Sequence, residues 1–148
     1  MKLKERIEAD TKEALKNRDH DRLSALRMLL SEIHNAEIEK RGELAEEEVI
    51  EIIAREMKKW EEAAEEYERV GQQSHAKKER FEADVLRAYL PPPLSEEEIK
   101  ALIKETISEV EAKGPRDMGK VMRAIIPKIV GRADKKKVSE MTREMLEA

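Results

Sequence analysis

Residues 89–99 have the sequence YLPPPLSEEEI, and this stretch divides the chain into two parts. Prolines at 91–93 cannot continue a helix because each lacks a backbone N–H donor, and three together favour a stiff, extended connector. Ser95 and Glu98 behind them form the Ser-x-x-Glu pattern of a capping box, which marks the start of a helix. The stretch therefore predicts the end of one helical region and the beginning of another.

Apolar side chains recur at helical spacing throughout residues 1–90, and turn-forming residues divide this region into four helices. Asp19 is placed to cap the second helix, whose end is marked by Gly42, and Gly71 marks the end of the third. Because left-handed backbone favours glycine, we expect that conformation at these helix ends, and likewise at Gly114 and Gly131.

Beyond the prolines, three further helices are predicted from the same apolar spacing. The first ends at Gly114 and Pro115, the second begins near Asp117, and Asp134 caps the third. The predicted fold is therefore all-α. It has a four-helix, bundle-like N-terminal subdomain (1–90), a proline connector (91–94) and a small three-helix C-terminal subdomain (95–148).

The composition of the 148 residues excludes several classes of protein. There is no Cys, so neither a disulfide scaffold nor a Cys-ligated zinc or iron–sulfur site can form. No apolar run approaches the roughly 20 residues that a membrane span needs, so no membrane partner is expected. Ala, Glu, Lys, Leu and Arg dominate, which favours helices. With no membrane span and a charge-rich N-terminus unlike a signal peptide, we expect a cytoplasmic protein.

No group of residues indicates catalysis. His20, His34 and His75 lie on three different predicted helices, and none belongs to an HExxH or ExxH pattern. Glycine signatures of phosphate-binding loops are absent, and acidic clusters occupy first helical turns, where the helix dipole favours them. We therefore expect a non-catalytic protein with no metal and no cofactor.

Charge is distributed unevenly along the chain, whose net charge is −4. Residues 1–93 contain 18 basic and 23 acidic side chains, whereas residues 113–137 contain nine basic and two acidic ones, a local charge of +7. Such a segment is typical of surfaces that contact nucleic-acid phosphates, although basic runs are also common on plain solvated surfaces. The candidate RNA-binding residues are Lys113, Arg116, Gly119, Lys120, Arg123, Lys128, Gly131, Arg132, Lys135 and Lys136.

Gly119 and Pro127 break the local rules of helix formation inside this basic segment. Gly119 falls in a first helical turn, where its lack of a side chain would let an anion approach free backbone N–H groups. The alternative is that it permits close packing between helices. Lys120 and Arg123 lie about 60° apart on a helical wheel, opposite the apolar stripe, so both can face an external phosphate.

Three motifs of this segment, DMGKVM (117–122), PK (127–128) and GRAD (131–134), resemble the C-terminal tail domain of the B subunit of tRNA-dependent amidotransferases. The N-terminal part adds RLSALRML (22–29) and YLP (89–91), and the whole chain is similar to the stand-alone YqeY-type proteins that consist of this tail alone. The resemblance implies an all-helical fold and an RNA-contacting surface around Gly119, Lys120 and Arg132.

That resemblance implies no reaction, because ATP use and transamidation belong to other domains of the amidotransferase. Any carbon–nitrogen ligase role would be accessory. The expected partner is tRNA or another structured RNA, bound through backbone and shape, because Trp60, Phe81 and Tyr89 are predicted in the core rather than free to stack on bases. The alternative is an adaptor for a protein partner in translation, binding through an exposed apolar strip on the third helix of the acidic bundle.

Overall fold

The computed structural model describes residues 1–148, and all of its regular structure is helical. The prediction of an all-α fold is confirmed. A single 3-10 turn (Pro115–Asp117) precedes the sixth of seven α-helices, which are α1 (Leu3–Lys16), α2 (His20–Lys40), α3 (Glu46–Arg69), α4 (Gln73–Arg87), α5 (Glu96–Glu109), α6 (Met118–Ile129) and α7 (Lys135–Glu147). No α-helix combines the length and the apolar character that a bilayer crossing requires.

The chain forms two compact units, Met1–Leu90 (unit 1) and Pro91–Ala148 (unit 2). In unit 1, α3 packs on α4, and α2 contacts α1, α3 and α4. The core is mostly aliphatic, with a single tryptophan and one tyrosine. Its large buried side chains include Ile7, Leu26, Leu29, Ile33, Ile53, Trp60, Leu86 and Tyr89.

Helix starts follow the capping signals of the sequence. The Asp19 carboxylate accepts a hydrogen bond from the Arg22 N–H, so this residue caps α2 as predicted. At α5 the capping box is complete: the Ser95 hydroxyl accepts from the Glu98 N–H at 3.1 Å, and the Glu98 carboxylate accepts from the Ser95 N–H at 3.1 Å. These bonds satisfy backbone donors that the helix itself leaves free.

Helix ends differ from the prediction at two of the four glycines. Gly71 (φ 78°) and Gly131 (φ 73°) are left-handed as predicted. At the end of α2, however, the left-handed residue is Arg41 (φ 64°), and the Gly42 N–H reaches back to the Glu37 carbonyl at 3.1 Å. The glycine therefore lies one position beyond the left-handed one. Gly114 is also not left-handed, since its φ of 175° is extended backbone.

Phe81 was predicted in the core, and this prediction is wrong, because its side chain is 41% exposed. The buried residues of α4 are instead Ala76, Glu82, Ala83 and Leu86. Phe81 lies about 200° around the helix from Ala83, so a helix that buries Ala83 turns Phe81 outward. Trp60 and Tyr89 are buried as predicted.

In unit 2, α5, α6 and α7 enclose a second core of Ile99, Ile103, Ile125, Ile129, Val138 and Met141. Because α7 packs on α6 and also on the 3-10 turn before it, α7 runs back along α6. The proline segment is bonded to this unit: the Leu94 N–H donates to the Arg132 carbonyl at 2.8 Å, and the Arg132 Nε donates to the Pro92 carbonyl at 3.1 Å.

Candidate nucleic-acid interface

The outer face of α6 presents cations to solvent. Lys120 and Arg123 are exposed, and Arg116 in the preceding 3-10 turn is exposed as well. Lys120 and Arg123 are three residues apart, so they lie on one side of α6, and Arg116 precedes them in the 3-10 turn. The opposite face buries Val121 and Ile125, so core packing fixes which side chains point outward. None of the three cations forms an ion pair within the chain.

Gly119 lies beside this row of cations in the first turn of α6, and it is exposed. A Cβ atom built at this position would meet nothing within 4 Å. The alternative that Gly119 permits close packing of two helices is therefore wrong. Its absent side chain leaves open surface beside Lys120. The Met118 N–H at this helix end is already bonded, because it donates to the Pro115 carbonyl of the 3-10 turn.

A second group of cations occupies the first turn of α7. Lys135, Lys136 and Lys137 are all exposed there, directly after the Asp134 cap, whose Oδ1 accepts from the Lys136 N–H at 3.0 Å. Cations at a helix N-terminus oppose the helix dipole, each at a cost of about 0.3–1 kcal/mol. The sequence contained this signal, since the Asp134 cap alone assigns the three lysines to the unfavourable end of a helix.

Two predicted RNA contacts are engaged inside unit 2. The Lys128 Nζ lies 2.8 Å from the Glu109 Oε2 in an ion pair between α6 and α5. Arg132 bonds the Pro92 carbonyl through its Nε, and Gly131 supplies the left-handed turn between α6 and α7. All three of these predicted residues, Lys128, Gly131 and Arg132, are half-buried.

The remaining candidate, Lys113, precedes the 3-10 turn and has an exposed side chain. Its backbone N–H donates to the Asp117 Oδ2 at 2.8 Å, which closes the loop between α5 and α6. The structure thus places one group of free cations on α6 and the 3-10 turn before it, and a second group at the start of α7. Because α7 runs antiparallel to α6, the second group lies beside the C-terminal end of α6.

The protein-adaptor alternative requires an exposed apolar strip on α3, and a catalytic metal site would require a cluster of His, Asp or Glu side chains. No large apolar side chain of α3 is exposed, so the predicted apolar strip on the third helix is wrong. The exposed apolar side chains of unit 1 include Val70, the residue that ends α3, and Met28 and Ile38 on α2. No cluster of three or more His, Asp or Glu residues has the arrangement of a metal site.

By its fold, this chain belongs to the class of small all-α proteins, with two helical units and a basic segment in the second. The chain belongs to a family within that class, described as "Yqey-like protein", which it matches over residues 4–146. One relative is "Altered inheritance of mitochondria protein 41, mitochondrial" of Pyrenophora tritici-repentis (strain Pt-1C-BFP). It is 29% identical over 146 residues, which are 97% of this chain and 80% of the relative. The name of this relative contains the word "mitochondrial". A cytoplasmic location for the present chain stays a prediction.

Proposed function

We propose that this protein is a non-catalytic module that binds structured RNA, tRNA among them, through the outer face of α6 and the first turn of α7. The observation that carries this proposal is the row formed by Arg116, Lys120 and Arg123, exposed and without ion pairs in a chain of net charge −4. Free cations aligned on one helix face are available to neutralise phosphates without first breaking internal bonds.

Readout of single-stranded bases has little support in unit 2, because residues 91–148 contain no Trp, Tyr or Phe. Stacking on aromatic rings is the usual means of binding unpaired bases. Lys and Arg contacts to phosphates need no unstacked base, and they suit a folded RNA recognised by backbone and shape.

The lysines at the start of α7 support the same proposal. Lys135, Lys136 and Lys137 destabilise their own helix through the dipole, and an RNA phosphate placed against them would remove that conflict. Lys128 and Arg132 are assigned a structural role instead, because each already has a partner within unit 2.

The proposal is tested by fluorescence anisotropy with labelled tRNA, from about 50 to 200 mM salt. We expect log Kd to change linearly with log salt concentration. Lys120→Gln and Arg123→Gln should each weaken binding and lower the slope by about one, because each removes one phosphate contact.

The matched control is Lys104→Gln, which removes an exposed lysine of α5 outside the basic segment. We expect its slope to equal that of the unmodified protein within about 0.3, because a lysine that contacts no phosphate displaces no counterion from the RNA. Binding that is independent of salt, or equal losses for Lys104→Gln and Lys120→Gln, would contradict the proposed interface.

A further inference from the structure

An uncharged stripe runs along the exposed side of α2, in a chain whose residues are 43% charged. Its exposed positions recur at intervals of four and three residues, as in a coiled-coil seam. Two of the side chains are large and apolar: Met28 is 52% exposed and Ile38 is 63% exposed. We call this surface the α2 stripe, and it comprises Ser24, Met28, Ser31, Asn35 and Ile38.

Charged residues border the stripe with opposite sign on its two edges. Arg27 and His34 lie along one edge, and Glu32 and Glu39 lie along the other. With Met28 and Asn35 at a positions, the basic residues fall at g and the acidic ones at e of the same heptads.

Three of the four border residues, Arg27, Glu32 and Glu39, have no partner of opposite charge within their own helix. Positions three and four residues away from Arg27, Glu32 and Glu39 contain no oppositely charged side chain. Arg27 and Glu32 themselves are five residues apart, about 140° around the helix, too far to pair in one chain.

The one acidic residue near His34 is already bonded. The Glu37 carboxylate lies 3.9 Å from the His34 Nδ1, and it accepts two hydrogen bonds of 2.9 Å from the Lys4 Nζ. That ion pair raises the pKa of Lys4, chiefly through the Glu37 hydrogen bond. Arg27 and its counterparts along the stripe therefore remain available to a partner.

We propose that a second copy of this chain packs on the α2 stripe, with the two α2 helices parallel. A two-fold axis along parallel helices places the g edge of one copy against the e edge of the other. Arg27 then meets Glu32 of the second copy, and His34 meets Glu39, both at the five-residue offset of g–e′ pairs. Antiparallel packing would instead oppose edges of like charge.

The composition of the stripe fits this occupant. Asn35 at an a position can bond to Asn35 of the second copy, and a single Asn at a fixes register in two-stranded coiled coils. Ser24 and Ser31 at d positions let the helices approach closely. The stripe spans 15 residues, about 21 Å along the helix axis, so the dimer is weak and forms at high protein concentration.

Sedimentation equilibrium of the full-length, nuclease-treated protein tests the proposal over a range of protein concentrations. We expect a monomer–dimer equilibrium. Arg27→Glu and Glu32→Arg should each raise the dissociation constant roughly tenfold, because symmetry converts two attractive contacts into two repulsive ones. The double variant Arg27→Glu/Glu32→Arg should restore dimerisation to within about twofold, and so should an equimolar mixture of the two single variants.

The control is Lys59→Glu, which makes the same change of charge at an exposed side chain of α3, away from the stripe. It should leave the dissociation constant unchanged. Circular dichroism confirms that each variant is folded. A protein that stays monomeric at the highest concentrations overturns the proposal. Stronger association of Arg27→Glu would indicate antiparallel packing, and failure of the double variant to restore the dimer would exclude the Arg27–Glu32 contact.

Discussion

Glu82 on α4 is one of the few carboxylates that unit 1 buries, with 8% of the residue exposed. Burial raises the pKa of the Glu82 carboxyl above its usual value, and the charge of Glu79 raises it further. The folded chain therefore binds this proton more tightly than the unfolded chain does. The contribution of Glu82 to stability is complete below the unfolded pKa and is lost as the pH rises through the folded pKa.

We expect Glu82→Gln to increase the free energy of unfolding near neutral pH, because the amide has no charge to desolvate. This gain should diminish at about pH 4, where the native carboxyl also takes up its proton. Urea unfolding at the two pH values, followed by the fluorescence of Trp60, the single tryptophan, measures the free energy of unfolding in each case. The control is Glu13→Gln, which changes an exposed side chain of α1. An equal gain in stability for this variant would exclude burial as the cause.

The candidate interface shows what can be predicted for single residues. Helical spacing from the apolar stripe correctly places Lys120 and Arg123 on the outer face, because orientation on a helix depends only on local periodicity. The engagement of Lys128 by Glu109 and of Arg132 by Pro92 could not be predicted. Those bonds join residues 19 and 40 positions apart, so they depend on how three elements pack.

Among the elements, the helix ends have a recurring geometry. The residue after the C-cap is left-handed at Arg18 (φ 56°), Gly71 (φ 78°) and Glu111 (φ 54°), and the next N–H bonds back five residues in each case. Only one of these three positions is a glycine. A residue with a Cβ atom is strained in this conformation, by roughly 1 kcal/mol.

Glu111→Gly should therefore stabilise unit 2 by about 0.5–1 kcal/mol, since relief of the strain exceeds the added entropy of the unfolded chain. Gly71→Ala should destabilise unit 1 by about 1 kcal/mol. A Cβ at Gly71 meets nothing within 4 Å, so steric contact cannot contribute. Chemical denaturation of both variants measures the two changes in the free energy of unfolding. Destabilisation by Glu111→Gly would contradict the assigned helix end.

At the scale of the whole molecule, we expect unit 1 and unit 2 to unfold in separate transitions, because the chain has two cores. Each unit has its own cluster of buried aliphatic residues. All Trp, Tyr and Phe residues lie before residue 91, so aromatic fluorescence reports unit 1 alone, whereas far-ultraviolet circular dichroism reports helices of both. Ile103 in unit 2 and Leu26 in unit 1 are both fully buried, which makes them matched sites.

We expect Ile103→Ala to destabilise unit 2 by about 2–5 kcal/mol, the usual consequence of a large-to-small core substitution. The circular dichroism transition should shift or split, while the fluorescence transition stays at the same denaturant concentration. Leu26→Ala should move the fluorescence transition by a similar energy. A fluorescence midpoint that follows Ile103→Ala would show that the two units unfold together.

The all-α class follows from local signals that the sequence contains in full, namely caps such as Ser95–Glu98 and apolar spacing close to 3.6 residues. The α2 stripe escaped prediction because Met28 and Ile38 blur the apolar periodicity of that helix. The same residue types occupy its inner and outer faces, so only packing decides which are covered. Phe81 was misassigned for the same reason.

The open space at Gly119, combined with the complete absence of Cys, offers a chemical handle. A cysteine at this position would be the single thiol in the molecule, and its side chain would extend from the first turn of α6 without displacing a neighbouring atom. A photo-crosslinker or spin label attached there would sample whatever approaches Lys120 within the length of its tether. The surface could thus be mapped by covalent capture without removal of any native charge.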